Sequence, residues 1–352
     1  MPFWLRFVLK TAGFIAARFI SSNREHNTQT QAFERQVMRT FLVTGGAGFI
    51  GSHIATALVK RGDRVRILDN FCTGFEHNLS HIADDVEVIN GDITDVDAVS
   101  MAMQSVDCVF HQAALASVPL SVEKPLEVNN ACVTGTLTVL DQARRAGVRR
   151  VVYAASSSAY GDEAFTMKRE TDLPAPLSPY AVAKLAGEYY CRAFHSTYGL
   201  ETVGLRYFNV FGPRQDPDSP YSAVIPIFIT RLLNGNPPVI YGDGQQTRDF
   251  VFVENVAQAN LLAADAVKAP GKVINMAEGR STSLLQLIES LNQLLGTDVQ
   301  PKFEPRRPGD VRDSLADISM ARKLLDYEPA VDFRTGLEKS IEYYKTMVGA
   351  AS

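Results

Sequence analysis

Much of what marks a metalloprotein, a secreted scaffold or a nucleic-acid binder is missing from this chain. Its 352 residues hold four cysteines and six histidines. Cys72, Cys108, Cys132 and Cys191 form no CxxC pair, and no HExxH or mixed His/Cys spacing occurs, so neither a disulfide framework nor a metal site is expected. A reduced, metal-free cytoplasmic protein with structural histidines fits best. Basic excess is also lacking. Lys and Arg number 35 against 39 Asp and Glu, a formal charge of −4, which leaves no field for gripping nucleic acid. A small anion held by local cations stays open. No repeat of 20 to 50 residues and no low-complexity tract occurs, which removes solenoids and propellers.

Long apolar runs are absent too. Phe3, Trp4, Phe7, Val8, Phe14, Ile15 and Phe19 recur at helical spacing, but Arg6, Lys10 and Arg18 break the run far short of membrane-spanning length. No membrane span is expected. A basic amphipathic helix on a membrane surface or a poor signal peptide are readings of this segment. A plainer one is an extension or a misassigned start, because Met38 stands directly before the first strand candidate. Truncation to Met38 is then expected to leave activity intact, and loss of folding would reject it.

What is present is ordinary globular composition, 46% hydrophobic and 21% charged, in a chain longer than one usual domain. From Thr40 short apolar runs alternate with amphipathic stretches, the pattern of a parallel sheet covered by helices. Strands are expected at Thr40–Thr44, Arg64–Asp69, Val86–Asn90, Cys108–His111, Val151–Ser156 and Thr202–Tyr207. Helices are expected at Phe49–Lys60, Leu126–Ala146 and Pro179–Tyr198. After Asn209 Pro and Gly become frequent, as in Asn234-Gly235-Asn236-Pro237-Pro238, and a smaller, less regular lobe is expected. The fold class is therefore α/β, a Rossmann-like doubly wound parallel sheet with a smaller C-terminal lobe. Its expected division is an extension over 1–37, a dinucleotide-binding domain over 38–208, and a mainly substrate-binding lobe over 209–352 that returns some segments to the first domain. The ligand cleft should lie outside the carboxyl ends of the strands.

Thr44-Gly45-Gly46-Ala47-Gly48-Phe49-Ile50-Gly51 follows a strand and opens a helix. Glycine there permits the tight turn, lets amides approach a pyrophosphate at the positive helix end, and lets helix and strand pack closely. The next strand ends in Asp69, where a carboxylate accepts from the adenosine ribose hydroxyls and repels a 2′-phosphate, so NAD is expected rather than NADP. Gly91-Asp92-Ile93, after the third strand, would lie near the adenine, although Gly-Asp is a common turn.

Tyr180-Ala181-Val182-Ala183-Lys184 sets a phenol and an ammonium one helical turn apart on one face. A phenol titrates near pH ~10 and is a poor base at neutrality, but an adjacent cation stabilises the phenolate. It can then take a proton from a hydroxyl while hydride leaves the same carbon. YxxxK alone is common on exposed helices. Its weight comes from Ser156, Ser157 and Ser158 upstream, where Ser156 could relay the proton.

The glycine motif, Asp69, His111-Gln112-Ala113-Ala114, Ser156, Tyr180 with Lys184, Arg206-Tyr207-Phe208-Asn209-Val210-Phe211-Gly212-Pro213 and Arg248-Asp249-Phe250-Val251 together resemble the extended short-chain dehydrogenase/reductase family. The match runs from about Arg39 to Tyr344 and is nearest the UDP-hexose 4-epimerases that handle N-acetylated sugars. The resemblance implies catalysis by Ser156, Tyr180 and Lys184. It implies NAD contacts at Gly45, Gly48, Phe49, Ile50, Gly51, Asp69, Asn70, Asp92, Ile93, Gln112, Ala113, Ala114, Tyr180 and Lys184. For a UDP-sugar substrate it implies Asn209, Arg248 and Arg307 at the diphosphate, Asp310 at the uridine ribose, and Tyr241, Ala223 and Val224 at the uracil. Ser117, Ser157 and Gln215 would face the hexose. It also implies a homodimer through the helices near Leu126–Ala146 and Pro179–Tyr198. One departure stands out: Cys132 occupies a position where these epimerases often have Asn, which leaves ligand contacts there open.

Dehydratases of this family carry Asp-Glu directly after the residue equivalent to Ser156, and the decarboxylases place Glu there. This chain has Ser157 and Ser158, so reversible oxidation at C4 followed by epimerisation is the reaction implied. Ser314 matches the size gate of the epimerases and leaves room for a 2-acetamido group. UDP-N-acetylglucosamine and its galacto epimer are thus expected substrates, with UDP-glucose and UDP-galactose also accepted. A UDP-uronic acid 4-epimerase is the alternative, followed by another sugar-nucleotide dehydratase or decarboxylase and by a non-catalytic NAD-binding protein.

Overall fold

The computed structural model describes residues 38–162, 167–217, 223–306 and 312–350. The expectations for 1–37, and for Arg307 and Asp310, lie outside the described residues.

Seven parallel strands form the central sheet: β1 Thr40–Thr44, β2 Arg64–Asp69, β3 Val86–Asn90, β4 Cys108–His111, β5 Arg150–Ser156, β6 Glu201–Tyr207 and β7 Lys272–Met276, in the order β7-β6-β5-β4-β1-β2-β3. The strand order reverses between β1 and β4, and a crevice opens there beyond the carboxyl ends. Phe41 and Val43 of β1 face one side with Ile54 and Leu58, whereas Leu42 faces the other with Val109, Val139 and Tyr153. This alternation buries both faces of the sheet. Six of the seven strands match the sequence-predicted ones to within a residue. The seventh, β7, comes from late in the chain.

The helices follow in chain order. Helix α1, Phe49–Arg61, starts at Gly48 and ends at Gly62. Helix α2 is Val96–Ala102. Instead of one continuous helix over Leu126–Ala146, α3 Val118–Glu123, α4 Pro125–Asn129, a π-turn over Asn130–Thr134 and α5 Gly135–Arg145 follow one another. The wider turn sets Cys132 among Val128 and Ala183, while the Gly135 Cα comes so near Ile93 that a Cβ would stand 2.5 Å from Ile93 Cδ1. Helix α6, Pro179–Tyr198, has the predicted bounds. Later come α7 Val224–Leu233, α8 Val253–Asp265, α9 Leu284–Leu295, α10 Ser319–Leu325 and α11 Phe333–Ala350.

Beyond β6 the sheet gives way to short pairs. Asn209–Phe211 runs parallel to Phe250–Phe252, and Thr247–Arg248 antiparallel to Thr282–Ser283. These segments and α7, α9 and α11 enclose a separate apolar cluster around Phe211, Phe228, Phe250, Phe252 and Phe333. Among the described residues no helix is long and apolar enough to cross a membrane.

Candidate active site

Gly45 follows β1 with φ +68, a conformation that glycine adopts at little cost. Its neighbour across the crevice is the run after β4. A Cβ on Gly45 would stand 2.6 Å from the Ala113 nitrogen, and one on Gly51 would stand 2.1 Å from the Gly45 carbonyl oxygen. Gly48 opens α1 and no side chain caps it. Phe49, Ile50 and Gly51 therefore form a first turn whose positive end faces the crevice. At the end of β2 the Asp69 carboxylate is buried and accepts from the Ala47 amide at 2.8 Å and the Phe71 amide at 2.8 Å. Each oxygen keeps a second acceptor site. Asn70 Nδ2 donates to Asp92 Oδ2 at 2.7 Å, and Asp92 Oδ1 accepts from the Thr94 amide and hydroxyl. Burial raises the Asp92 pKa, but these hydrogen bonds outweigh it and hold the carboxyl below its usual range. Ile93 beside it is buried.

Gln112, Ala113 and Ala114 connect the two halves of the site. Ala113 donates its amide to Thr44 Oγ1 at 3.3 Å, Gln112 joins Tyr207 and Asn260, and Ala114 packs with Cys132 and Tyr180. His111 bridges the Thr44 and Thr136 hydroxyls. Burial, then the Lys184 charge, pulls its pKa down to about 3, so the ring is a neutral structural link.

Ser178 and Pro179 fix the start of α6, with Ser178 Oγ accepting from the Ala181 amide at 3.2 Å. Such a cap contributes about 1 kcal/mol, and Pro at N1 has its φ already set. Tyr180 thus falls in the first helical turn. Ser156, which ends β5, is the neighbouring side chain that pulls the Tyr180 pKa down. Ser156 Oγ accepts from Ser158 Oγ at 2.8 Å and from the Ser158 amide at 3.2 Å. Lys184 lies one turn further on, buried, but its Nζ donates to the Ala154 carbonyl at 2.9 Å and stands over the Tyr153 ring. The ammonium is committed to the β5 backbone rather than to the phenol. Desolvation lowers the Lys184 pKa. It raises the Tyr180 pKa, with Cys132 adding to the rise and the Ser156 hydrogen bond opposing it. The support expected for the phenolate from Lys184 together with the nicotinamide therefore acts through charge rather than through a direct Lys184–Tyr180 hydrogen bond, and the positive end of α6 adds a favourable field at Tyr180.

Ser156 and Tyr207 are register partners on β5 and β6. Two residues past Tyr207, Asn209 enters a cavity of about 500 Å³ together with Ala223, Val224, Tyr241 and Arg248. Five sequence-predicted substrate residues thus share one wall set. Ser314 donates its amide to the Thr247 carbonyl at 3.2 Å, beside Arg248. Gln215 Nε2 donates to the Val210 carbonyl at 3.2 Å, and Val210 lines the cavity. Ser117 is used as the cap of α3, its Oγ accepting from the Leu120 amide at 3.1 Å. Ser157 is half-buried in the turn after β5.

Sequence reasoning named Ser158 without giving it a role of its own and passed over Arg231 and Gln246. The last two were readable from period: Val224, Ile227, Phe228 and Arg231 follow helical spacing, and Gln246, Arg248 and Phe250 alternate along an extended segment. Among the described residues no cluster of metal-ligating side chains occurs, and all four cysteines are unpaired.

The uncapped helix start, the glycine cradle and the Asp69 carboxylate together fit a dinucleotide. Comparison with known proteins agrees. The UDP-glucose 4-epimerase of Mycolicibacterium smegmatis is 37% identical over 313 residues, covering 88% of this chain and 99% of that protein. The structure of UDP-N-acetylglucosamine 4-epimerase from Methanobrevibacter ruminantium, in complex with UDP-N-acetylmuramic acid, is 41% identical with a TM-score of 0.84, covering 88% and 99% of the two chains. That of UDP-glucuronic acid 4-epimerase from Bacillus cereus, with UDP-glucuronic acid and NAD, is 33% identical with a TM-score of 0.82 over 88% and 99%. The model of the NAD dependent epimerase/dehydratase family matches residues 41–277. With that model spanning more than half of the chain and relatives alike over nearly their whole length, the chain belongs to the NAD dependent epimerase/dehydratase family.

Proposed function

We propose that the protein is an NAD-dependent UDP-hexose 4-epimerase acting through a 4-keto sugar, with UDP-N-acetylglucosamine and UDP-N-acetylgalactosamine as its main pair and UDP-glucose and UDP-galactose also accepted. One observation carries the reading: Ser156, the side chain that favours ionisation of Tyr180, pairs in register with Tyr207, two residues before Asn209 enters the cavity that holds Arg248. A hexose joined to a diphosphate near Asn209 and Arg248 has its reacting end directed toward Ser156 and Tyr180.

When bound, NAD would supply a hydride acceptor for C4, the hydride that is restored to the opposite face, and a positive charge to the site. Gly45, Gly48, Phe49, Ile50 and Gly51 would hold its diphosphate, Asp69 its ribose, and Asn70, Asp92 and Ile93 its adenine side. Gln112, Ala113 and Ala114 would lie along the nicotinamide half. With Tyr180 ionised under the combined charges of Lys184 and the nicotinamide, the C4 hydroxyl would give its proton through Ser156 to the Tyr180 phenolate as the C4–H bond breaks, and recover it when the bond reforms. Ser158, donating to Ser156, keeps the relay hydroxyl oriented. Lys184, held by Ala154, anchors the nicotinamide ribose and contributes its charge at longer range. Between the two half-reactions the 4-keto sugar must turn about its phosphate linkage. A tight diphosphate clamp at Asn209 and Arg248 and a loosely held sugar near Ser117, Ser157 and Gln215 allow that. Ala223, Val224 and Tyr241 would take the uracil. The outward-facing members of the two long helical segments, including Val122, Leu126, Val182 and Tyr189, support a homodimer.

A UDP-uronic acid epimerase is the second reading, favoured by the likeness to the UDP-glucuronic acid 4-epimerase structure. Purified protein incubated with each UDP-sugar, without added reductant, and followed by proton NMR at C4 tests both. A new C4 epimer from the neutral sugars supports the first, conversion of the acidic sugar alone supports the second, and conversion of none rejects the assignment.

A further inference from the structure

Arg214 is the outlier of the substrate side. It follows Pro213 with φ +67, a region that a non-glycine residue uncommonly occupies. Its guanidinium Nη1 donates to Thr56 Oγ1 at 3.3 Å and to the Asn78 carbonyl at 3.2 Å, and Nη2 donates to His53 Nδ1 at 3.4 Å. Among the described residues no carboxylate bonds it. Burial lowers its pKa, to about 10. A strained backbone that holds a half-buried cation against neutral groups is costly, and such arrangements persist where surrounding contacts over-determine them.

The partners of that cation belong to the dinucleotide side. Thr56 and His53 lie on α1, which starts at the glycine turn. Asn78 is fully buried and its Nδ2 donates to the Ala47 carbonyl at 2.9 Å. The Ala47 amide in turn donates to Asp69 Oδ2. The His53 ring is fixed by the same contacts. A guanidinium donor at Nδ1 requires that nitrogen to be unprotonated, and Nε2 lies 3.0 Å from the Pro213 carbonyl, which requires its proton there. On the other side, Gln215 is anchored by the Tyr344 hydroxyl donating to its carbonyl at 2.5 Å, and by its own side chain on Val210 at the cavity wall. Arg214 thus joins the two networks through its guanidinium, beside the His53–Pro213 hydrogen bond.

We propose that Arg214 is a positioning residue that couples occupancy of the dinucleotide turn to binding on the hexose side. This rests on the proposed pair of ligands. A dinucleotide that orders Ala47 and Asp69 also orders Asn78 and α1, and the guanidinium passes that order to Pro213 and Gln215. A sugar nucleotide bound afterwards has less chain to immobilise, and the linkage is reciprocal.

The test reads NAD affinity of the full-length protein with and without saturating UDP-N-acetylglucosamine. In the native protein the sugar nucleotide is expected to tighten NAD about tenfold. Arg214→Gly suits the left-handed backbone and removes the guanidinium, so its melting temperature should stay at or above the native value while the coupling falls below about twofold. Arg214→Lys, which keeps the charge without the fork, should fall between the two. Equal coupling in the native and Gly proteins overturns the proposal, as does a native protein that binds both ligands independently. No NAD binding by the native protein would sink the functional reading and the coupling together, whereas C4 conversion with undiminished coupling in Arg214→Gly sinks this proposal alone.

Discussion

The Gly45 Cα and the Ala113 amide approach so closely that a methyl group on Gly45 would stand 2.6 Å from the Ala113 nitrogen. This contact joins the turn after β1 to the run after β4, the two strands at which the sheet order reverses. The dinucleotide cradle and the route to Tyr180 thereby share one wall.

Gly45→Ala is expected to damage that wall. The backbone φ of +68 is itself unfavourable for alanine, at about 1–3 kcal/mol, and the clash falls on backbone that cannot swing aside. NAD affinity, measured by fluorescence titration, should fall at least about tenfold. Native affinity in a folded Gly45→Ala protein would remove the cradle from the argument.

Tyr180→Phe should lower turnover by about 10²–10⁴-fold, the usual contribution of a positioned acid–base group. UDP-sugar affinity should change little, because the cavity residues are untouched. Ser156→Ala should lower turnover less, since the phenol remains. Progress curves by NMR separate these outcomes, and unchanged turnover in Tyr180→Phe would sink the mechanism.

Ser314→Tyr should slow UDP-N-acetylglucosamine conversion selectively. Ser314 is tied through its amide to Thr247, next to the Arg248 clamp, so a larger side chain there crowds the sugar rather than the fold. Comparing kcat/KM on the acetamido and plain sugars gives the answer. An equal loss on both would discard the size gate.

Asp249 links three loops, accepting from the Glu278, Gly279 and Ala316 amides. Burial nevertheless raises its pKa to about 7, against the opposing pull of those amides. A carboxyl that binds its proton more tightly when folded stabilises fully below its unfolded pKa and loses that contribution as pH rises through the folded one. Stability should thus decline between about pH 4 and 7 by about 1.4 kcal/mol per unit from this group. The melting-temperature gap between the native protein and Asp249→Asn should narrow from pH 5 to 7 and level off above. A gap independent of pH would contradict the assignment.

If the proposed homodimer forms through this face, Leu126→Lys should yield a monomer in light scattering, because Leu126 is 85% exposed in the single chain and an apolar side chain so placed is expected to be covered by a partner. An unchanged mass would show that this face is not the interface.

Period and glycine placement determined much by themselves. Six of the seven strands, the bounds of Pro179–Tyr198, the cradle at Gly45 to Gly51 and the Tyr180/Lys184 pair are local patterns, since side-chain spacing and caps act over a few residues. Tertiary structure alone decided the rest. Sequence does not show that Lys184 spends its hydrogen bond on Ala154, that burial outweighs its charge at Tyr180, or that Ser117 caps α3. Nor does it show that a π-turn breaks the helix beside Cys132, or that Arg214 reaches Asn78 across the crevice. Apart from the local Ser117 cap, these are settled by desolvation and by partners distant in the chain, and neither leaves a trace in local periodicity.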